Sequence, residues 1–177
     1  MTKSDIDADT QTIDERWMQR ALKLAQKAYE FGEVPVGAIL IRGEAALGEG
    51  WNQPITACDA SAHAEVVAIR QAGLAERNYR LPGSTLYVTV EPCTMCVGAI
   101  VHARVERVVY GTREPKAGAV ESTNRLFEFP AFNHHVEFQG GVLAEACSEL
   151  ISSFFALRRQ NQKKLKHQAR LGQDEVR

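Results

Sequence analysis

Apolar residues in this chain recur with two different periods. Trp17, Met18, Ala21, Leu22, Ala25, Ala28 and Tyr29 follow three- and four-residue steps, the mark of an amphipathic helix. Asp14 or Thr12 can cap its start, and Gly32 stops it. A dense apolar run then predicts a strand from Val36 to Ile41. Arg42-Gly43-Glu44 is a turn signal, and Ala45 to Trp51 returns as an antiparallel partner. A loop from Asn52 to Ala62 leads into a helix from Ala64 to Ala72, which Gly73 and the polar Glu76-Arg77-Asn78 end. Thr85 to Val90 is β-branched and aromatic, and so reads as a buried strand. Pro92 suits a helix start, and a helix from Cys93 to His102 follows. Val105 to Tyr110 is a further strand, and Gly111 to Asn124 is a loop. Val136 to Phe138 is a short edge strand, and one long helix runs from Leu143 to about Gln168.

Strands alternate with helices, and the crossovers after the first hairpin are long enough for parallel pairing. This predicts an α/β fold: a three-layer αβα sandwich around a central mixed, mostly five-stranded sheet. Residues 1–12 are polar, lack periodicity and are expected to form a disordered tail. Residues 13–160 hold the periodic elements as one domain, and 161–177 extend the last helix as a basic segment and tail. There is no internal repeat.

Composition adds three constraints. Apolar residues make up 45% of the chain, enough for a packed core. No apolar run approaches the roughly 20 residues that cross a bilayer, and no secretory signal is visible, so no membrane role is expected. The four cysteines include one Cys-x-x-Cys pair, which points to metal binding in a reducing compartment, hence the cytoplasm. A net charge of −1 conceals an asymmetry. Asp5, Asp7, Asp9, Asp14 and Glu15 lie near the start, whereas Arg158, Arg159, Lys163, Lys164, Lys166 and Arg170 form a basic run near the end. Such a run is ordinarily a solvated helix face, and it also suits a phosphate-rich partner.

The candidate chemistry lies in His63-Ala64-Glu65 and Pro92-Cys93-Thr94-Met95-Cys96. One His and two Cys can hold zinc by three ligands, which leaves a fourth tetrahedral position for water and marks a catalytic site. A lone Cys-x-x-Cys also fits a redox pair or half of a four-cysteine structural site. The second pair is absent, because Cys58 and Cys147 stand alone, and the companion His-x-Glu favours zinc. Cys93 and Cys96 share one face of a first helical turn, whose dipole favours thiolates. His63 and Glu65, two residues apart, can face one point only near a helix end. Two helix N-termini should therefore converge on the metal, with Glu65 free to move protons for an acidified water.

His-x-Glu followed by Pro-Cys-x-x-Cys is the signature of zinc nucleobase deaminases. From about Asp14 to about Arg159 the chain also resembles the bacterial tRNA-specific adenosine deaminases. The resemblance includes Val34-Pro35-Val36-Gly37-Ala38, Gly48-Glu49-Gly50-Trp51-Asn52, Asn78-Tyr79-Arg80-Leu81, Leu86-Tyr87-Val88-Thr89, Glu91-Pro92-Cys93 and Lys116-Ala117-Gly118-Ala119. It implies a cytidine deaminase-like fold and deamination of adenosine to inosine at wobble position 34 of a tRNA anticodon, with tRNA-Arg as substrate. It further implies one Zn2+ per subunit on His63, Cys93 and Cys96, and a homodimer that contacts the anticodon stem-loop from both subunits. Glu65 matches the proton shuttle. Asn52 and the backbone N–H of Ala64 match contacts to the flipped base. Asn133, Phe154 and Phe155 match positions lining pockets for neighbouring nucleotides, and Arg158 and Arg159 match positions near the RNA backbone. Glu114 stands where many relatives carry Asp near the RNA backbone and ribose, a longer side chain that shifts any contact there. Without the resemblance Phe154 and Phe155 read as core, although adjacent residues cannot both face the same core. A free-base or nucleoside deaminase is the alternative reading. A zinc-stabilised RNA-binding scaffold is a third, and it would have no use for Glu65.

Overall fold

The computed structural model describes residues 3–174, as backbone alone at 3–9, 167 and 169–174. Its elements are α1 (Lys3–Glu30), β1 (Gly37–Arg42), β2 (Ala45–Trp51), α2 (Ala64–Glu76), β3 (Thr85–Val90), α3 (Thr94–His102), β4 (Arg107–Thr112), a 3-10 turn (Leu126–Glu128), β5 (Glu137–Gly140) and α4 (Ala144–Asp174). The strands form one mixed sheet in the order β2-β1-β3-β4-β5. β1 is antiparallel to both β2 and β3, while β3, β4 and β5 are mutually parallel. Five strands and four helices give the expected αβα sandwich.

Period-two alternation along the strands sorts the core into two layers. Ala38, Leu40, Leu86, Val88 and Val108 face α2 and α3, where they meet Ala64, Ala68, Ala72, Val97 and Ile100. Ile39, Ile41, Tyr87 and Val109 face the other way, against Trp17, Met18, Ala21 and Leu24 of α1 and Cys147 of α4. Among the described residues no helix is long and apolar enough to cross a membrane.

Two expectations change. The segment expected as a tail over residues 1–12 is helical from Lys3, so α1 starts about three turns before Asp14. Hydrophobic periodicity registers only the turns that pack on the sheet. The preceding turns contain no Gly or Pro, and their aspartates suit a helix N-terminus. Residues 1, 2 and 175–177 of the expected tails, and the side chain of Arg170, lie outside the described residues. Asp14 therefore does not cap the helix. It is buried, and its carboxylate accepts two bonds from Arg107 of β4, both 2.8 Å, and one of 2.8 Å from the Tyr87 hydroxyl of β3. α2 also runs through Gly73, a tolerable cost of about 1 kcal/mol inside a helix. It closes at Arg77, which takes the left-handed conformation (φ 51°), and the Asn78 N–H bonds Gly73 O at 3.0 Å.

The Asp14–Arg107 pair fastens α1 to the parallel half of the sheet, and removing one partner strands the other. Asp14→Ala should lower the unfolding free energy in urea by about 3–5 kcal/mol, the cost of breaking a buried ion pair. A loss below about 1 kcal/mol would show that the pair is dispensable.

Candidate active site

The position of the site begins with a packing requirement. Gly48 and Gly50 of β2 face α2, and a Cβ at either would run into the backbone of Ala68 or Ala64. With alanines on the facing side of the helix, α2 lies at backbone contact with the sheet, which fixes where it starts. Its N-cap is His63, in an extended conformation (φ −72°, ψ 151°). An imidazole makes a poor cap acceptor, and Asn52, the first residue beyond β2, serves instead. Its Oδ1 accepts the Ala64 N–H at 2.9 Å. The His63 ring is left to turn toward α3.

α3 starts in a similar way. Cys93 is its N-cap, also extended (φ −78°, ψ 172°), and Cys96 lies on the first turn. The two helix ends converge as the spacing predicted. His63 Nδ1 lies 3.7 Å from Cys93 Sγ and 3.5 Å from Cys96 Sγ, and the two sulfurs are 3.7 Å apart. Tetrahedral zinc, with Zn–S of about 2.3 Å and Zn–N of about 2.0 Å, requires edges of about 3.8 Å between sulfurs and about 3.5 Å between sulfur and nitrogen. The triangle thus fits three corners of a zinc tetrahedron. Among the described residues it is the only His/Cys/Asp/Glu group arranged to hold a metal ion.

A cavity of about 130 Å³ opens on the triangle, lined by Val36, Asn52, His63, Glu65, Val90, Glu91, Cys93, Glu114 and Ala117. Glu65 is only 4% exposed. Burial raises its carboxyl above the usual range, against its backbone hydrogen bond and the nearby His63. A hydrogen bond from Cys96, then the neighbouring His63, hold the Cys93 thiol far below the ordinary range. The sulfur–sulfur contact with Cys93, then burial, push Cys96 up. Cys93 and Glu65 thus sit in contrasting surroundings at one cavity, which favour the charged form of the thiol and the neutral form of the carboxyl. A larger hollow of about 500 Å³ lies beside the C-terminal end of α2, lined by Leu74 and Tyr79 among others, but it holds no nucleophile or metal-binding side chain.

The structure brings His63, Glu65, Cys93, Asn52 and Glu114 to one cavity, with Cys96 buried beside it in the triangle; Asn133, Phe154, Phe155, Arg158 and Arg159 do not line it. Ala64 is at the site, but its N–H is taken by Asn52 and is not free for a base. Glu114 Oε1 accepts the Lys116 N–H at 3.0 Å. Asn133 is exposed on the loop after the 3-10 turn, where its Oδ1 accepts from Arg104 at 2.6 Å. Phe154 is 4% exposed and packs edge-on to Tyr29, with ring centroids 5.4 Å apart. That is a core position, whereas Phe155 is 39% exposed. Arg158 and Arg159 are exposed, and the Arg158 guanidinium lies over the Phe154 ring.

Sequence reasoning gave Glu91 no role of its own and named it only within the Glu91-Pro92-Cys93 segment. Its carboxylate is buried and accepts five hydrogen bonds from the loop after β4. Burial works against the charge, but the Ser122 hydroxyl and the backbone amides outweigh it and hold the carboxyl below its usual range. The available signal was an acid placed between a buried strand and the Pro-Cys of the candidate metal site.

A mixed-sheet sandwich with a His-Cys-Cys triangle at two helix N-termini and a buried carboxylate beside it defines a zinc-binding deaminase. A model of the cytidine and deoxycytidylate deaminase zinc-binding region matches residues 11–112. The tRNA-specific adenosine deaminase of Haemophilus influenzae is 49% identical over 152 residues, covering 85% of this chain and 88% of the relative. That of Bacillus subtilis is 43% identical over 152 residues, covering 86% and 94%. A solved structure from studies of A-to-I editing by tRNA:A34 deaminases superposes with a TM-score of 0.75 at 41% identity, covering 76% of this chain and 98% of that one. Guanine deaminase from Nitrosomonas europaea, at 21% identity and TM-score 0.67 over 80% of this chain and 84% of its own, shares the fold alone. The chain belongs to the tRNA-specific adenosine deaminase family.

Because the three candidate ligands come from two helices, metal loss should loosen both. Cys93→Ser is expected to purify with far less than the wild-type zinc content and to melt at a lower temperature. Full zinc content in that variant would remove Cys93 from the ligand set.

Proposed function

We propose that the protein deaminates adenosine to inosine at wobble position 34 of a tRNA anticodon, that of tRNA-Arg, as a cytoplasmic homodimer with one zinc ion per subunit. Residues 13–160 are the deaminase domain, and 161–177 are its basic extension. The observation that carries this reading is Glu65, buried at a small cavity that His63 and Cys93 of the His63–Cys93–Cys96 triangle line.

The reaction is adenosine plus water to inosine plus ammonia. Zinc on His63, Cys93 and Cys96 would acidify a water enough to make it a nucleophile near neutral pH. Glu65 accepts a proton from the water that adds to the amino-bearing ring carbon, and hands a proton to the departing nitrogen. Its burial keeps bulk solvent from exchanging that proton. Asn52 orients the base with its amide, and the Ala64 N–H acts indirectly by fixing Asn52.

The volume of about 130 Å³ supports the substrate class. It is small, and the flat base is the part of the substrate it takes, with the sugar and phosphate outside. A base extruded from an RNA loop, where unstacking costs least, suits such a site. The ribose and phosphate then stay at the rim, beside Glu114. Phe155, Asn133, Arg158 and Arg159 contact the flanking nucleotides from outside the cavity, whereas Phe154 acts by supporting Arg158.

Incubation with anticodon stem-loops, followed by analysis for inosine, tests the reading. Inosine should form in a tRNA-Arg loop faster than any free base or nucleoside turns over; the reverse order would favour the free-base alternative. Glu65→Gln should cost at least about 100-fold in kcat while zinc content and RNA affinity persist. A variant that keeps wild-type kcat would remove Glu65 as the proton carrier. RNA affinity should fall linearly with salt on logarithmic axes as counterions are released, with a shallower slope in the double variant Arg158→Ala/Arg159→Ala. An unchanged slope would take both arginines out of the interface.

A further inference from the structure

We propose that Glu91 is a positioning residue for the substrate: its carboxylate clamps shut the loop whose first residues form the cavity rim. The proposal rests on the deaminase reading of the site and adds a residue to which that reading gives no task.

The clamp is visible in the bonds. Oε1 accepts the backbone N–H groups of Val120 (3.1 Å), Glu121 (2.7 Å) and Ser122 (2.8 Å). Oε2 accepts the N–H of Glu114 (3.1 Å) and the Ser122 hydroxyl. One oxygen thus holds the far end of the loop, while the other ties in its near end. The residues between them, Pro115 to Ala119, bridge the gap as an arch, closed further by Gly118 N–H to Glu114 O at 2.8 Å. Glu114 and Ala117, on this arch, line the cavity. Gly118 passes so close to the clamp that a Cβ there would collide with the Glu91 carboxylate.

A buried charge is costly unless fully hydrogen-bonded, and Glu91 is 3% exposed. Its partners in these bonds are neutral amides and one hydroxyl, so its charge serves acceptance alone. Only a carboxylate offers two acceptor oxygens in one plane. A glutamine has the same length, but its NH2 would face the Glu114 N–H, donor against donor. Glu91→Gln should therefore keep the tie to residues 120–122 and lose the tie to Glu114. The metal ligands stay in place, because Ala119 N–H still bonds Pro92 O at 2.8 Å beside Cys93. What loosens is the rim, which meets the ribose and phosphate and not the reacting ring. Contacts of that kind act equally in ground and transition states, so the loss falls on KM.

The test uses the zinc-loaded wild type, Glu91→Gln and Ser122→Ala, with steady-state deamination of an anticodon stem-loop and hydrogen exchange of the loop amides. Glu91→Gln should raise KM about tenfold with kcat within about twofold, at wild-type zinc content. The Glu114 amide should exchange faster, while those of 120–122 stay protected. Ser122→Ala, which leaves the carboxylate intact, should shift KM the same way by less, and it carries the test if Glu91→Gln does not fold. A lower kcat with unchanged KM, the sign of fewer active molecules, would overturn the proposal, as would wild-type protection at Glu114. If the wild type deaminates no RNA, the deaminase reading fails. Exchange at Glu114 then decides the clamp alone: faster supports it, and unchanged overturns it.

Discussion

Three ligand atoms from two helices must meet within the edges of one small tetrahedron. The rest of the structure depends on that constraint. His63 reaches the meeting point because β2 carries glycines where α2 crosses it, and because Asn52 takes over the capping bond that would otherwise fall to the His63 position. Cys93 and Cys96 reach it because α3 starts directly behind a buried strand. An extra methyl group on β2 would push α2 off the sheet and open a triangle whose sides are now 3.5–3.7 Å.

Sheet topology explains why two helix starts meet at all. β2 and β3 are each antiparallel to β1 and so run in the same direction. The helices that follow them start at the same edge of the sheet, on the same face. Their N-terminal dipoles both point at the triangle and favour thiolate sulfur. Toward the opposite end of the parallel strands lies a structural counterpart, the Asp14–Arg107–Tyr87 cluster that fastens α1. Chemistry and fastening thus occupy opposite ends of the parallel strands.

Much of this was legible in the sequence, for physical reasons that also explain the gaps. Periodicity located every strand and the packed part of every helix, because burial leaves a repeat. It could not locate the first turns of α1, where the sequence carries no apolar repeat. Spacing singled out the candidate ligands and anticipated the two-helix convergence, because coordination depends on residue type and position within a helical turn. Glu91 escaped, because its partners are backbone amides of a loop and backbone amides have no sequence signature. The same holds for Ala64, whose N–H is spent on Asn52. Phe154 and Phe155 look alike in sequence, and only the placement of α4 against Tyr29 separates the buried ring from the exposed one.

The central claim is a zinc ion held by three side chains with one coordination position left open. X-ray absorption at the zinc edge of the purified protein tests it most directly. The account predicts two sulfurs at about 2.3 Å, one imidazole nitrogen at about 2.0 Å and one further light atom from solvent. A shell of four sulfurs, or a second imidazole in place of the solvent atom, would contradict it.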